Sequence, residues 1–163
     1  MGVECYNKYM KGNFNLKGKY RFIKTDSETG KVISISPWIN NLIMKADTLG
    51  INLIIRRLGN DLTYDTIITS AEIGDDDTPP TNGDTDLVSP ILIGILPALQ
   101  SIATDNVTIS FFIPSVDLAN GTYKEFCIRC GTKMFARSII SPNYVKGTNE
   151  NTTVEYLITG DNA

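Results

Sequence analysis

The sequence predicts a mainly β protein: an antiparallel β-sandwich or jelly-roll-like domain with one helix over about residues 37–58 and an extended N-terminal arm. Two observations carry that prediction. Short runs rich in Ile, Val, Thr, Phe and Tyr recur along the chain, punctuated by Gly, Pro, Asn and Asp, as strands joined by turns should be. Apolar residues fall at three- and four-residue spacing in one stretch only, from Trp38 to Ile54. At 163 residues, 42% hydrophobic and 20% charged, the chain has the length and composition of one ordinary globular domain. It is expected to divide into an arm over residues 1–17 and a single sandwich domain over 18–163.

In chain order, residues 1–17 carry Tyr6, Tyr9, Phe14 and three lysines without a period, which reads as an arm ordered on a partner or on its own domain. Tyr20, Phe22 and Lys24 alternate with Arg21, Ile23 and Thr25, and after "DSETG" the run "KVISIS" follows, so residues 18–36 are a hairpin candidate. Ser36 as cap and Pro37 at the first position open the expected helix, and "RRLGN" closes it with basic residues and a glycine. An alternative is two short helices broken at Gly50. After Asn60 strands are expected at 64–73, 87–96, 106–113, 122–130, 133–140 and 152–159, the last ones forming a meander through the glycine turns of "ANGTY" and "RCGTK".

Composition narrows the function. The net charge of −3, from 15 basic and 18 acidic residues, offers no global attraction to nucleic acid or to an anionic membrane. The apolar runs are short or broken by Pro90, Gly94 and Pro97, so no membrane span is expected, and Met1 to Asn15 lacks the apolar segment of a secretory signal. Synthesis in the cytoplasm fits three cysteines, an odd number that closes no disulfide framework. Histidine is absent, which removes the commonest general acid/base and every Ser-His or Cys-His nucleophile pair. No phosphate-loop, dinucleotide or hydrolase motif occurs. The expectation is a non-enzyme with no cofactor and no catalytic residue.

Three groupings invite chemistry. The stretch "IGDDDTPPTNGDTDL", residues 73–87, could in principle surround calcium through Asp75, Asp77, Asp84 and Asp86, but it lacks the spacing of an EF-hand loop. An exposed acidic loop stiffened by Pro79 and Pro80, with Asp84 or Asp86 making turns, is the preferred reading, and no metal is expected. Cys127 and Cys130 have C-x-x-C spacing, yet only Cys5 remains as a further thiolate for zinc, and strand alternation places the two sulfurs on opposite faces, one buried and one more exposed. Lys8, Lys11, Lys17, Lys19, Arg21 and Lys24 interleave with Tyr6, Tyr9, Phe14, Tyr20 and Phe22, a pattern that could stack and neutralise a nucleic acid but that equally guards a strand edge, and nucleic acid is not expected as a partner. Glu125 with Arg129 or Arg137 is a candidate ion pair between strands.

Taken in order, Trp38-Ile39-Asn40-Asn41-Leu42-Ile43, Ile73-Gly74 leading to Asp84-Thr85-Asp86-Leu87, Gly121 to Glu125, and Met134-Phe135-Ala136-Arg137 resemble a recurring type of tailed-bacteriophage virion protein. In that type "W-x-N-x-I" opens a helix, an Ile-Gly and a Pro-containing stretch lead to "D-T-x-L", and "G-x-x-x-E" precedes a strand ending in "F-A-R". One departure is Phe126-Cys127-Ile128-Arg129, where that type carries an apolar-Gly-Leu step. The resemblance implies a structural protein of the virion, made in the host cytoplasm, that decorates the capsid surface or belongs to the neck or tail. Its partners would be copies of itself in a symmetric oligomer and other virion proteins, with Tyr6, Tyr9, Phe14, Asp84 and Asp86 as interface residues. The alternative is a carbohydrate- or receptor-binding β-sandwich module of a tail fibre, with Trp38 as a stacking platform.

Overall fold

A computed structural model describes the backbone of residues 14–162 and the side chains of 15–160. The chain is mainly β, with ten strands and one short helix among the described residues: β1 (Phe14–Asp26), β2 (Val32–Ile35), β3 (Ile39–Ile43), α1 (Ile51–Leu58), β4 (Ser70–Gly74), β5 (Pro90–Ile95), β6 (Pro97–Ile102), β7 (Asn106–Ile113), β8 (Gly121–Cys130), β9 (Lys133–Lys146) and β10 (Glu150–Asn162). Neighbouring strands pair antiparallel in the order β5-β4-β8-β9-β3-β1-β10-β7-β6, with β2 added on β1. The two ends of that order, β5 and β6, are consecutive in the chain and separated by Leu96 alone. The sheet therefore curls back on itself and is nearly closed into a barrel.

The longest ladder runs between β1 and β10, from Phe14 opposite Asn162 to Asp26 opposite Glu150. Its alternation sorts the side chains: Tyr20 and Phe22 are buried inside, whereas Arg21 on the outer face pairs with Glu155 directly across the ladder at 2.6 Å. The two walls meet through one layer of aromatic side chains. Phe126 of β8 lies 4.8 Å from the Tyr20 ring, 6.3 Å from Phe22, 6.4 Å from Phe111 and 6.5 Å from Tyr156. Its neighbours thus come from β1, β7 and β10 on the opposite wall. The buried phenols keep partners, Tyr20 at Ser138 Oγ and Tyr156 accepting from the Asn41 amide, while burial raises both above the ordinary tyrosine range.

The helix expected over 37–58 is corrected to Ile51–Leu58. Residues 39–43 instead form β3, which joins the walls by pairing with β1 (Tyr20 opposite Ile39) and with β9 (Ile43 opposite Ala136). Ile39 and Ile43 are four residues apart, which satisfies a helix face. They also suit a short strand buried at both ends, and the pairing on either side decides between the two. Ser36 does not cap a helix: its hydroxyl accepts the Phe22 N–H at 2.9 Å and donates to the Pro37 carbonyl. Gly50 turns the chain into α1 at φ +52, where a Cβ would collide with the Met44 carbonyl. Arg56, Arg57 and Gly59 end the helix where the sequence places its stop.

The hairpin expected over 18–36 is β1–β2, its turn held by Asp26, whose carboxylate accepts the Thr29 N–H at 2.7 Å, and by Gly30 at φ +68. The boundary of the arm shifts, because β1 already begins at Phe14 and residues 14–17 lie in the ladder with β10. Tyr6 and Tyr9 lie outside the described residues. The strand expected over 64–73 shrinks to β4, and the one expected over 87–96 is followed at once by β6, which Pro97 opens as a first strand residue lacking an N–H. The strand over 106–113 lies where the alternation places it. No helix of the described residues is long and apolar enough to cross a membrane.

Candidate functional site

The sheet formed by β4, β8 and β9 has two buried faces. Phe126 and Ile128 point into the barrel core, so Glu125 and Cys127, at alternate positions, point outward. Across the strands Glu72 stands opposite Cys127, and Cys127 opposite Arg137. This outer face would be a charged surface if the chain left it open. Instead a second apolar cluster of Met44, Leu49, Leu87, Cys127 and Met134 covers part of it, and the acidic stretch lies over the rest.

Two arginines fasten that stretch. Arg137, 2% exposed, donates to Glu125 Oε2 at 2.9 Å through Nη2, to Asp84 Oδ2 at 2.5 Å through Nη1 and to the Thr78 carbonyl at 3.0 Å. Glu125, fully buried, spends its carboxylate on Arg137 and on the backbone N–H groups of Ser89 (2.7 Å) and Val88 (3.1 Å). Arg129 grips Glu72 with two bonds, at 2.7 and 3.1 Å, and donates to Asp86 Oδ1 at 2.8 Å and to the Thr85 carbonyl at 3.0 Å. Gly74 makes room for this arrangement: a Cβ there would stand 2.3 Å from the Ser89 carbonyl and 2.5 Å from Glu125 Oε1.

The electrostatics follow from the pairing. Burial works to raise the Asp84 carboxyl, but its bonds from Thr81 and the Arg137 guanidinium outweigh burial and hold it below the ordinary aspartate value. The Thr85 hydroxyl and then Arg129 hold Asp86 down in the same way, although its side chain stays largely exposed. Burial first and the neighbouring Glu72 second push the Cys127 thiol well up, and burial pushes Cys130 up to about 12. Both thiols are buried, Cys127 in the outer cluster and Cys130 in the barrel core, which corrects the expectation of one exposed sulfur and keeps the expected opposite faces. Neither is poised as a nucleophile.

The four aspartates considered for calcium do not converge. Asp84 and Asp86 turn to Arg137 and Arg129, Asp77 faces Lys124 at 3.5 Å, and Asp75 is placed by its backbone N–H on the Ser89 carbonyl. Among the described residues no group of three or more His, Cys, Asp or Glu side chains is placed to hold a metal ion. The counter-charge for Asp84 and Asp86 is guanidinium. Of the flagged pair, Glu125 takes Arg137; the Glu72 partner of Arg129 was missed, because Glu72 lies 57 residues away and has no motif around it.

The remaining candidates resolve into packing. Tyr20 and Phe22, two of the aromatics of the basic grouping, face the core, and Lys24 is paired with Glu150 at 3.2 Å. Trp38 has Lys19 and Arg21 over its ring, 5.0 and 4.7 Å from the centroid, so its stacking surface is engaged by the chain itself.

In comparisons with known proteins, the chain matches no family model, no curated protein and no solved structure. What fold and site together define is a mainly β chain whose nearly closed barrel carries a strapped acidic loop on its outer wall. The short pieces Ile73-Gly74, Asp84-Thr85-Asp86-Leu87, Glu125 and Arg137, scattered from residue 73 to 137, meet in that strap.

Proposed function

We propose that this chain is a non-enzymatic structural protein of a tailed-bacteriophage virion, decorating the capsid surface or forming part of the neck or tail. The observation that carries the reading is the meeting of Gly74, Asp84, Glu125 and Arg137 at one buried node. These are among the residues on which the resemblance rests, and each is short of information alone. Their joint use in one strap gives the order and spacing a physical reason. The node's polar atoms are spent on one another, so the arrangement fastens a loop and holds nothing poised for a substrate.

On this reading the flattened barrel serves as the β-sandwich of that type, with β1, β10 and β7 as one layer and β8, β9 and β4 as the other. Residues 1–13 and the exposed apolar strands would supply contacts to other copies and to other virion proteins. Electron microscopy of the particle with which the chain copurifies, labelled by an antibody to the chain, tests this. Regularly repeated label on head, neck or tail is the expected image. A chain recovered free of any particle contradicts the proposal.

A further inference from the structure

The open seam of the barrel lies in the longest uncharged stretch of the sequence. Between Asp86 and Asp105 the chain carries no charged residue, and this stretch contains both end strands of the sheet, β5 and β6. Leu96 and Leu99 are 71% and 65% exposed, Ile93 65% and Ile102 83%, and Ile91 is half exposed. Leu99 stands opposite Ser110 of β7, on the face that also carries the exposed Phe112, and Phe112 lines one cleft with Ile93 and Leu96. Ile91, Ile93, Leu96, Leu99 and Phe112 therefore form an apolar strip along the seam, while Ile102, opposite Val107, stands on the other face of β6.

Edge strands of soluble proteins are ordinarily guarded by charge, because their free N–H and C=O groups template pairing with another chain. β6 is not guarded in this way: among the described residues it pairs with β7 alone, and from Ala98 to Ile102 it has neither charge nor proline on its free side. β5 is the poorer template, because Pro90, the bulges against β4 and Gly94 at φ +70 interrupt it.

We propose that β6 is a self-association edge, pairing antiparallel with β6 of a second copy of this chain across a twofold axis. A strand is always complementary to itself in the antiparallel sense, which suits an isologous contact. Strands β5 and β6 bring no charge of their own to a second copy, although Asp117 lines the cleft beside Phe112 and the chain as a whole is acidic. At about 100 Å² per fully exposed aliphatic side chain, the five side chains of the strip offer roughly 300 Å². The main chain and small side chains of two edge strands extend this toward the ~600 Å² per partner at which stable interfaces begin. The inference deepens the assembly reading and rests on it only for the place where copies meet.

Light scattering after size exclusion of the full chain, with Leu99→Lys and Ile93→Lys beside the wild type, tests the seam. Both positions are exposed, and circular dichroism checks that each variant remains folded. The expected result is a wild-type dimer or an even-numbered oligomer whose dissociation constant rises at least tenfold in both variants. Hydrogen exchange supplies a second readout, with β6 amides that become protected as concentration rises. A monomeric wild type, an oligomer indifferent to both lysines, or protection that does not change with concentration overturns the proposal. The last of these outcomes would give the cover to the chain's own residues, and protection found only on a particle would give it to another virion protein. A monomer that labels the particle leaves the functional reading standing without the seam, whereas a seam dimer found on no particle leaves the reverse.

Discussion

Arg137 reaches across 53 residues of sequence to place Nη1 2.5 Å from Asp84 Oδ2 while Nη2 holds the buried Glu125. One guanidinium thus ties a surface loop to a carboxylate inside the sheet. The consequence is an asymmetry between removing one partner and removing both. Glu125→Ala leaves Arg137 buried with less counter-charge and orphans the N–H groups of Val88 and Ser89, and should cost about 3–5 kcal/mol. Replacing Glu125 and Arg137 together by Leu and Met should cost less than Glu125→Ala alone. Urea unfolding of the three variants gives the comparison.

Asp84 makes stability depend on pH. Its folded value lies below the unfolded one, so its contribution is fully present above the ordinary aspartate value near 3.9 and is lost as pH falls through the lower folded value. Asp84→Asn should lower stability by about 1–2 kcal/mol at neutral pH. The gap between wild type and variant should close as pH falls below about 4. Midpoints of urea unfolding measured from pH 7 down to acid show whether it does.

Calcium and chelator should leave the melting temperature where it is, because arginines supply the positive charge beside Asp84 and Asp86. A calcium-dependent rise that EDTA reverses, and that Asp84→Asn abolishes, would show that the loop takes a cation after all.

Two glycines close in sequence should respond in opposite ways. Gly74→Ala drives a Cβ against the Ser89 carbonyl and Glu125, and should destabilise by about 1–3 kcal/mol. Gly83→Ala meets nothing within 4 Å, and should be neutral or stabilise by up to about 1 kcal/mol through the unfolded chain. Thermal unfolding of the pair separates close packing from generic loop rigidity.

The strands were legible where alternation meets a single buried face, as with Tyr20 and Phe22 in β1 or the run from Asn106 to Ile113. β3 was not, because Ile39 and Ile43 fit a helix face equally well and only the gap between β1 and β9 selects a strand. At the site, Asp84, Asp86, Glu125, Arg129 and Arg137 were all visible as charged residues. The Glu125–Arg137 pair was among the candidates, but the arginine partners of Asp84 and Asp86 were not, because those bonds between loop and sheet span more than forty residues and depend on which face of β8 turns outward. That both Cys127 and Cys130 are buried escaped for the same reason: alternation gives the face, and only the assembled barrel shows that both faces are covered.

The strap from Asp84 to Arg137 is tested most directly by a double-mutant cycle with Asp84→Asn, Arg137→Met and the double variant, read by urea unfolding at neutral pH. A coupling of about 1–3 kcal/mol is the result expected of two groups in direct contact within one network. Additivity within about 0.5 kcal/mol would contradict the strap and return the acidic stretch to solvent.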